Sequence, residues 1–155
     1  MNKRIEYFDK ARDYAFLLLK FRLRSENELV QRLKLKKIPE ETIREVISFL
    51  KEKRFIDDNV FAKAWLNSRL KRPLGLRRIR QELRQKGIDK AVIETEVGSV
   101  KNYSEAETVL ELAKERLGKL KAVEPIKAKR RVYEFLLRRG FSSQVVIDTL
   151  NQLCR

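Results

Sequence analysis

Apolar residues recur along this chain at three- and four-residue spacings with charged residues between them, and no stretch alternates in the manner of a strand. Residues 5 to about 22 predict a first helix with Tyr7, Phe8, Ala11, Tyr14, Ala15, Leu18 and Leu19 on its buried side. Ser25 predicts the start of a second, because Glu28 follows at capping-box spacing; Leu29 and Leu33 are its core positions. Pro39 suits the first turn of a third helix, where its missing N–H has no helical partner to lose. Ile43, Val46, Ile47 and Leu50 supply that helix's apolar side.

The same order then returns. Phe55 and Ile56 precede two carboxylates, Asp57 and Asp58, placed to cover free N–H groups at a helix start. The helix that follows is built on Phe61, Ala64 and Trp65 and breaks at Arg72-Pro73. Gly75 marks a turn, Leu76, Ile79 and Leu83 recur at helical spacing, and Lys86-Gly87 closes that helix. Ala15 corresponds to Ala64, and Leu29, Leu33, Ile38, Ile43 and Ile47 to Ile79, Leu83, Ile88, Ile93 and Val97. A third copy opens at Ser104 with Glu107 three residues on, runs to Gly118, restarts at Pro125 and carries Gly140 at the place of Gly87. Its Val132, Leu136, Phe141, Val146 and Leu150 continue the correspondence. The expectation is all-α: three tandem three-helix repeats over residues 1–56, 57–102 and 103–155, about nine helices in an elongated, curved array. Units this small are expected to stack and share apolar surface.

Charge changes the picture. Lys and Arg number 37 against 22 acids in 155 residues, for a net +15 and a pI near 10.1. Such an excess steers a protein toward polyanions. It is densest from Arg69 to Lys86, where Arg69, Lys71, Arg72, Arg77, Arg78, Arg80, Arg84 and Lys86 face one acid, Glu82. On a helical wheel Leu76, Ile79 and Leu83 share a face, and Arg77, Arg80 and Arg84 form a stripe roughly 100° round from it. With so few acids nearby to pair them, these arginines read as anion-binding rather than as a solvated face. Lys127, Lys129, Arg130, Arg131, Arg138 and Arg139 form a second cluster, which serves either binding or solubility. Trp65 has the spacing of a core residue rather than of a base-stacking platform. A helix-turn-helix reading is disfavoured, because the helix after Gly87 carries Glu94 and Glu96 where a recognition helix needs donors.

Catalytic chemistry is poorly provided for. There is no histidine and no phosphate-cradling glycine loop, and the one cysteine, Cys154, has no histidine partner. Asp57 and Asp58 read as caps rather than magnesium ligands. The chain is expected to be no enzyme and to need no cofactor or metal. A charged N-terminus without an apolar signal core, short apolar runs and a single cysteine predict a cytoplasmic, soluble protein.

The stretch from Phe55 to Ile88 closely resembles the hallmark region of the RecX family of bacterial RecA regulators. The resemblance rests on the aromatic-aliphatic-Asp-Asp entry, Phe61-Ala62, Arg69, Gly75, and Ile79 to Ile88 read as IRQELRQKGI. It implies a non-enzymatic monomer that binds the RecA–DNA filament, in its helical groove, together with single- and double-stranded DNA. It further implies modulation, mostly inhibition, of recombinase ATP hydrolysis, strand exchange and co-protease activity in DNA repair and the SOS response. The basic residues would meet the filament, while Phe55, Asp57, Asp58, Phe61, Trp65, Gly75, Ile79, Leu83 and Gly87 hold the face in shape. The alternative is a general basic helical DNA- or RNA-binding module without a dedicated protein partner. Two turns depart from the family pattern: Arg54 and Lys36-Lys37 stand where glycine is usual, so those turns are either strained or differently shaped.

Overall fold

The computed structural model describes residues 2–155. Among them are nine α-helices and no strand: α1 (Lys3–Phe21), α2 (Glu26–Leu35), α3 (Glu40–Glu52), α4 (Asp58–Leu70), α5 (Leu76–Gln85), α6 (Lys90–Gly98), α7 (Glu105–Lys119), α8 (Pro125–Arg138) and α9 (Ser143–Leu153). The expected series of three three-helix repeats is therefore present. No helix among the described residues is long and apolar enough to cross a membrane.

Local signals set the helix ends. Ser25 Oγ accepts from Glu28 N at 3.1 Å and Glu28 accepts from Ser25 N at 3.3 Å, completing the capping box of α2. Ser104 Oγ caps α7, accepting from Glu107 N at 3.3 Å. Pro125 occupies the first position of α8, behind a Glu124 cap. Pro39, by contrast, is the cap of α3 and not in its first turn, since its ψ of 141° is extended.

The chain divides into two compact units. One is Met1–Trp65 with Leu83–Glu96, and the other Leu66–Glu82 with Val97–Arg155. In the first, Ala11, Ala15 and Leu18 of α1 pack with Leu29, Leu33, Ile43, Val46, Ile47 and Leu50. In the second, Val109 and Ala113 of α7 pack with Val132, Leu136, Phe141, Val146 and Leu150. The corresponding positions are buried repeat after repeat: Leu29, Ile79 and Val132, then Leu33, Leu83 and Leu136, then Ile43, Ile93 and Val146.

Three expectations are corrected. Ala64 is exposed although Ala15 is fully buried; α4 turns Phe61, Ala62 and Leu66 inward instead. Tyr7 is exposed, because its neighbour Phe8 takes the inward position, edge-on to Phe49 at 5.9 Å. Trp65 is only half-buried: it stacks on Phe61 at 5.8 Å and has Lys86 Nζ 5.1 Å from its ring.

The departing turns keep a left-handed shape and bear the strain. Lys37 at φ 57° closes α2 by donating to Lys34 O, with Ile38 N donating to Leu33 O. Gly87 at φ 76° and Gly140 at φ 86° close α5 and α8 with the same pair of bonds, and Arg54 at φ 58° does so after α3. A Cβ on Gly87 would lie 2.4 Å from Asn27 Cβ, and one on Gly140 would lie 2.3 Å from Arg78 Cβ. Each glycine turn rests on the second helix of the preceding repeat. Lys37 is exposed and carries its side chain at the cost of left-handed strain.

Candidate functional site

The site is built in the second unit by the α4–α5 turn meeting the end of α8. Arg72 N donates to Arg69 O at 3.0 Å and Leu74 N to Arg72 O at 2.8 Å, so the chain folds back tightly around Pro73. Gly75 N then donates to Arg139 O at 2.8 Å. That approach is backbone on backbone: a Cβ on Gly75 would lie 2.1 Å from Gly140 O, which is why this position carries no side chain. Tyr103 supports the turn by donating its hydroxyl to Leu74 O at 3.3 Å; burial, and secondarily the charge of Glu105, push its pKa up to about 12.

The result is a cleft of about 420 Å³ lined by Arg69, Arg72, Arg78, Arg138 and Arg139, with Leu74 and Phe135 as its apolar wall. No carboxylate lines it. Arg69 is aimed by Glu82, whose Oε2 accepts from its Nε at 2.8 Å, while Arg78 Nε donates to Oε1 at 3.4 Å. Glu82 is largely buried, with 15% of its side chain exposed, so one acid spaces two guanidinium groups from beneath. Arg139 lies over the Phe135 ring at 5.0 Å and donates to Pro73 O at 3.4 Å; Arg116 lies over the same ring at 4.4 Å. A second cleft of about 390 Å³ shares Phe135 and Arg138 and adds Arg116, Lys119, Leu120, Arg131 and Glu134.

Planar guanidinium forks gathered around a lining without carboxylates suit phosphate or carboxylate oxygens, two donors to each anion.

The sequence-predicted residues separate on this geometry. Arg69, Arg72 and Arg78 from the first basic cluster meet Arg138 and Arg139 from the second. Lys71 is exposed, and it does not line the cleft; neither do Arg77, Arg80 and Arg84, the first and last exposed and Arg80 half-buried. Lys86 lies in the other unit, its Nζ 2.7 Å from Glu28 Oε1. In the third repeat Lys127 is exposed, Lys129 donates to Asn151 at 2.9 Å, Arg130 pairs with Glu134 at 3.0 Å, and Arg131 lines the second cleft. The expectation that acids are too few to pair the basic run is corrected for Arg69, Arg78 and Lys86. Glu82 meets both Arg69 and Arg78, and Glu28 meets Arg22 at 3.0 Å as well as Lys86.

The acidic pair also resolves. Asp57 caps α4, accepting from Asn59 N at 2.8 Å. Asp58 instead accepts from Glu26 N at 2.9 Å and caps α2 of the preceding repeat. Ser25 Oγ donates to Lys86 O at 2.7 Å beside it. Phe55 is half-exposed and edge-on to Phe16 at 4.9 Å.

Sequence reasoning missed Arg116, Lys119, Leu74 and Phe135. For Phe135 a signal existed, an aromatic on α8 one turn from Arg131 and Arg139. Arg116 and Lys119 gave none, because they reach the site only through the packing of α7 on α8.

Protein-family models for the first, second and third three-helix domains of RecX match residues 11–50, 57–95 and 104–150. The regulatory protein RecX of Clostridium botulinum (strain Eklund 17B / Type B) is 34% identical over 145 residues, which span 92% of this chain and 68% of that one. The chain belongs to the RecX family. The RecX of Chlorobium phaeobacteroides (strain BS1) is 35% identical over 147 residues, covering 94% of this chain and 95% of its own. A crystal structure of regulatory protein RecX superposes with a TM-score of 0.81 at 26% identity, covering 92% of this chain and 71% of that one. A regulatory role thus comes with the family.

Proposed function

We propose that this RecX-family protein binds the RecA–DNA filament and restrains its ATP hydrolysis, strand exchange and co-protease activity, with no catalysis of its own. The observation that carries this reading is the five-arginine cleft with no carboxylate in its lining. An arginine cleft with an apolar wall can seat DNA phosphate and, beside it, an acidic recombinase side chain. Arg69 and Arg78, spaced by Glu82, position the anion, while exposed Arg72 and Arg138 supply charge that draws it in.

The second reading, a general nucleic-acid-binding module, is favoured by the net +15 alone. Salt separates the two. Binding carried by phosphate neutralisation alone falls steeply and log-linearly with salt. Titration of labelled single-stranded DNA, bare or coated with RecA, at rising salt is the test. Binding to the coated strand that persists where binding to bare DNA has gone supports the filament reading. Equal loss on both supports the general module.

A further inference from the structure

Away from the arginine clefts, α8 and α9 of the third repeat leave a groove that the filament reading does not use. Ile126, Lys129, Arg130 and Tyr133 form its α8 wall and Ile147, Leu150 and Asn151 its α9 wall, around about 270 Å³. Ile126 is 78% exposed and Ile147 40% exposed, two large aliphatic side chains of adjacent helices open to solvent together. Both walls follow helical spacing, three or four residues apart.

The rim has one sign. Lys129 and Arg130 are the charged residues that line it, and no carboxylate does. Lys129 donates to Asn151 Oδ1 at 2.9 Å, which anchors its ammonium at the mouth with further donors to spare. Arg130 pairs with Glu134, but its side chain is 80% exposed, and an ion pair so exposed is weak enough to exchange partners. An apolar floor with a cationic rim is complementary to an amphipathic segment that buries bulky apolar side chains and flanks them with carboxylates.

We infer that this groove is a docking site for an acidic amphipathic helix of a partner protein, whose apolar side chains lie on Ile126 and Ile147 and whose carboxylates meet Lys129 and Arg130. The groove would serve this role whether or not the arginine cleft binds a filament.

The probe is a fluorescein-labelled synthetic peptide with leucine at helical positions i, i+3, i+4 and i+7 and glutamate between. A second peptide replaces its leucines with serine. The expected result is saturable anisotropy with the leucine peptide and none with the serine peptide. The methyl resonances of Ile126 and Ile147 should shift, and the full chain carrying Ile126→Ser and Ile147→Ser should bind at least about tenfold more weakly. Both isoleucines are exposed, so these variants should keep their helicity, and Arg72→Glu with Arg138→Glu should leave peptide binding in place. Equal binding of the two peptides would mean that charge alone is read, and the docking site would be ruled out. Wild-type affinity in the isoleucine variants would overturn it as well. So would sedimentation showing that the groove pairs two copies of this chain and that pairing excludes the peptide.

Discussion

Gly140 rests on Arg78 so closely that a Cβ on the glycine would lie 2.3 Å from the arginine Cβ, and its φ of 86° already excludes most side chains. The same turn brings Gly140 O against Gly75. Two glycines therefore let the α4–α5 turn meet the turn after α8, next to Arg78 and Arg139, which line the arginine cleft. Gly140→Ala should lower stability by about 2 kcal/mol or more, through left-handed strain plus overpacking. Thermal unfolding followed by circular dichroism measures it. A decrease no larger than that of an exposed helical substitution would remove the glycine from this role.

The turn at Lys37 predicts the opposite sign. It has the same hydrogen bonds as the glycine turns and a φ of 57°, and its side chain is exposed. Lys37→Gly should stabilise the protein by about 0.5–1 kcal/mol, relieved strain exceeding the entropy that glycine adds to the unfolded chain. Urea unfolding of this variant beside Gly87→Ala should shift the midpoint up in the first and down in the second.

Glu28 makes the first unit sensitive to acid. Burial opposes its ionisation, but hydrogen bonds and charge from Arg22 and Lys86 outweigh burial and hold its pKa below the ordinary glutamate value. A carboxylate with a depressed folded pKa adds stability above its unfolded pKa and loses it as the pH falls through the folded one. Glu28→Gln should therefore cost about 1–2 kcal/mol at neutral pH and progressively less below about pH 4.3. Urea unfolding of wild type and variant between neutral pH and pH 3 reads the difference. A gap that stays constant with pH would show that packing, not charge, sets the effect.

Cleft arginines and the α5 stripe should differ in their hold on DNA. Arg72→Glu with Arg138→Glu should weaken single-stranded DNA binding and lower its salt slope by about 1 for each phosphate left without its arginine. Arg77→Glu with Arg84→Glu makes the same charge change outside the cleft and should have the smaller effect. Equal weakening would show that net charge, and not the cleft, is read.

The repeats were legible because buried positions obey one spacing: Leu29, Ile79 and Val132 are all fully buried, as are Leu33, Leu83 and Leu136. The capping box at Ser25 and the proline start at Pro125 were equally direct, since both are local. Ala64 failed because alanine is indifferent to burial, so its spacing carried little weight against Ala62 and Leu66. The basic run pointed to anions, but not to the division of Arg69, Arg72 and Arg78 from Arg77, Arg80 and Arg84. Which arginines converge is decided by the α4–α5 turn meeting the end of α8, residues far apart in sequence. Glu82 could be counted in the sequence, but not seen to serve Arg69 and Arg78 together.

Regulation of RecA through the arginine cleft is tested most directly by the rate of ATP hydrolysis by RecA on single-stranded DNA. This protein is added substoichiometrically, at moderate salt. The predicted result is suppression by wild type that disappears in the Arg72→Glu, Arg138→Glu variant while its helicity is unchanged. Suppression only when the protein is abundant enough to coat the DNA, or equal suppression by the variant, would contradict it.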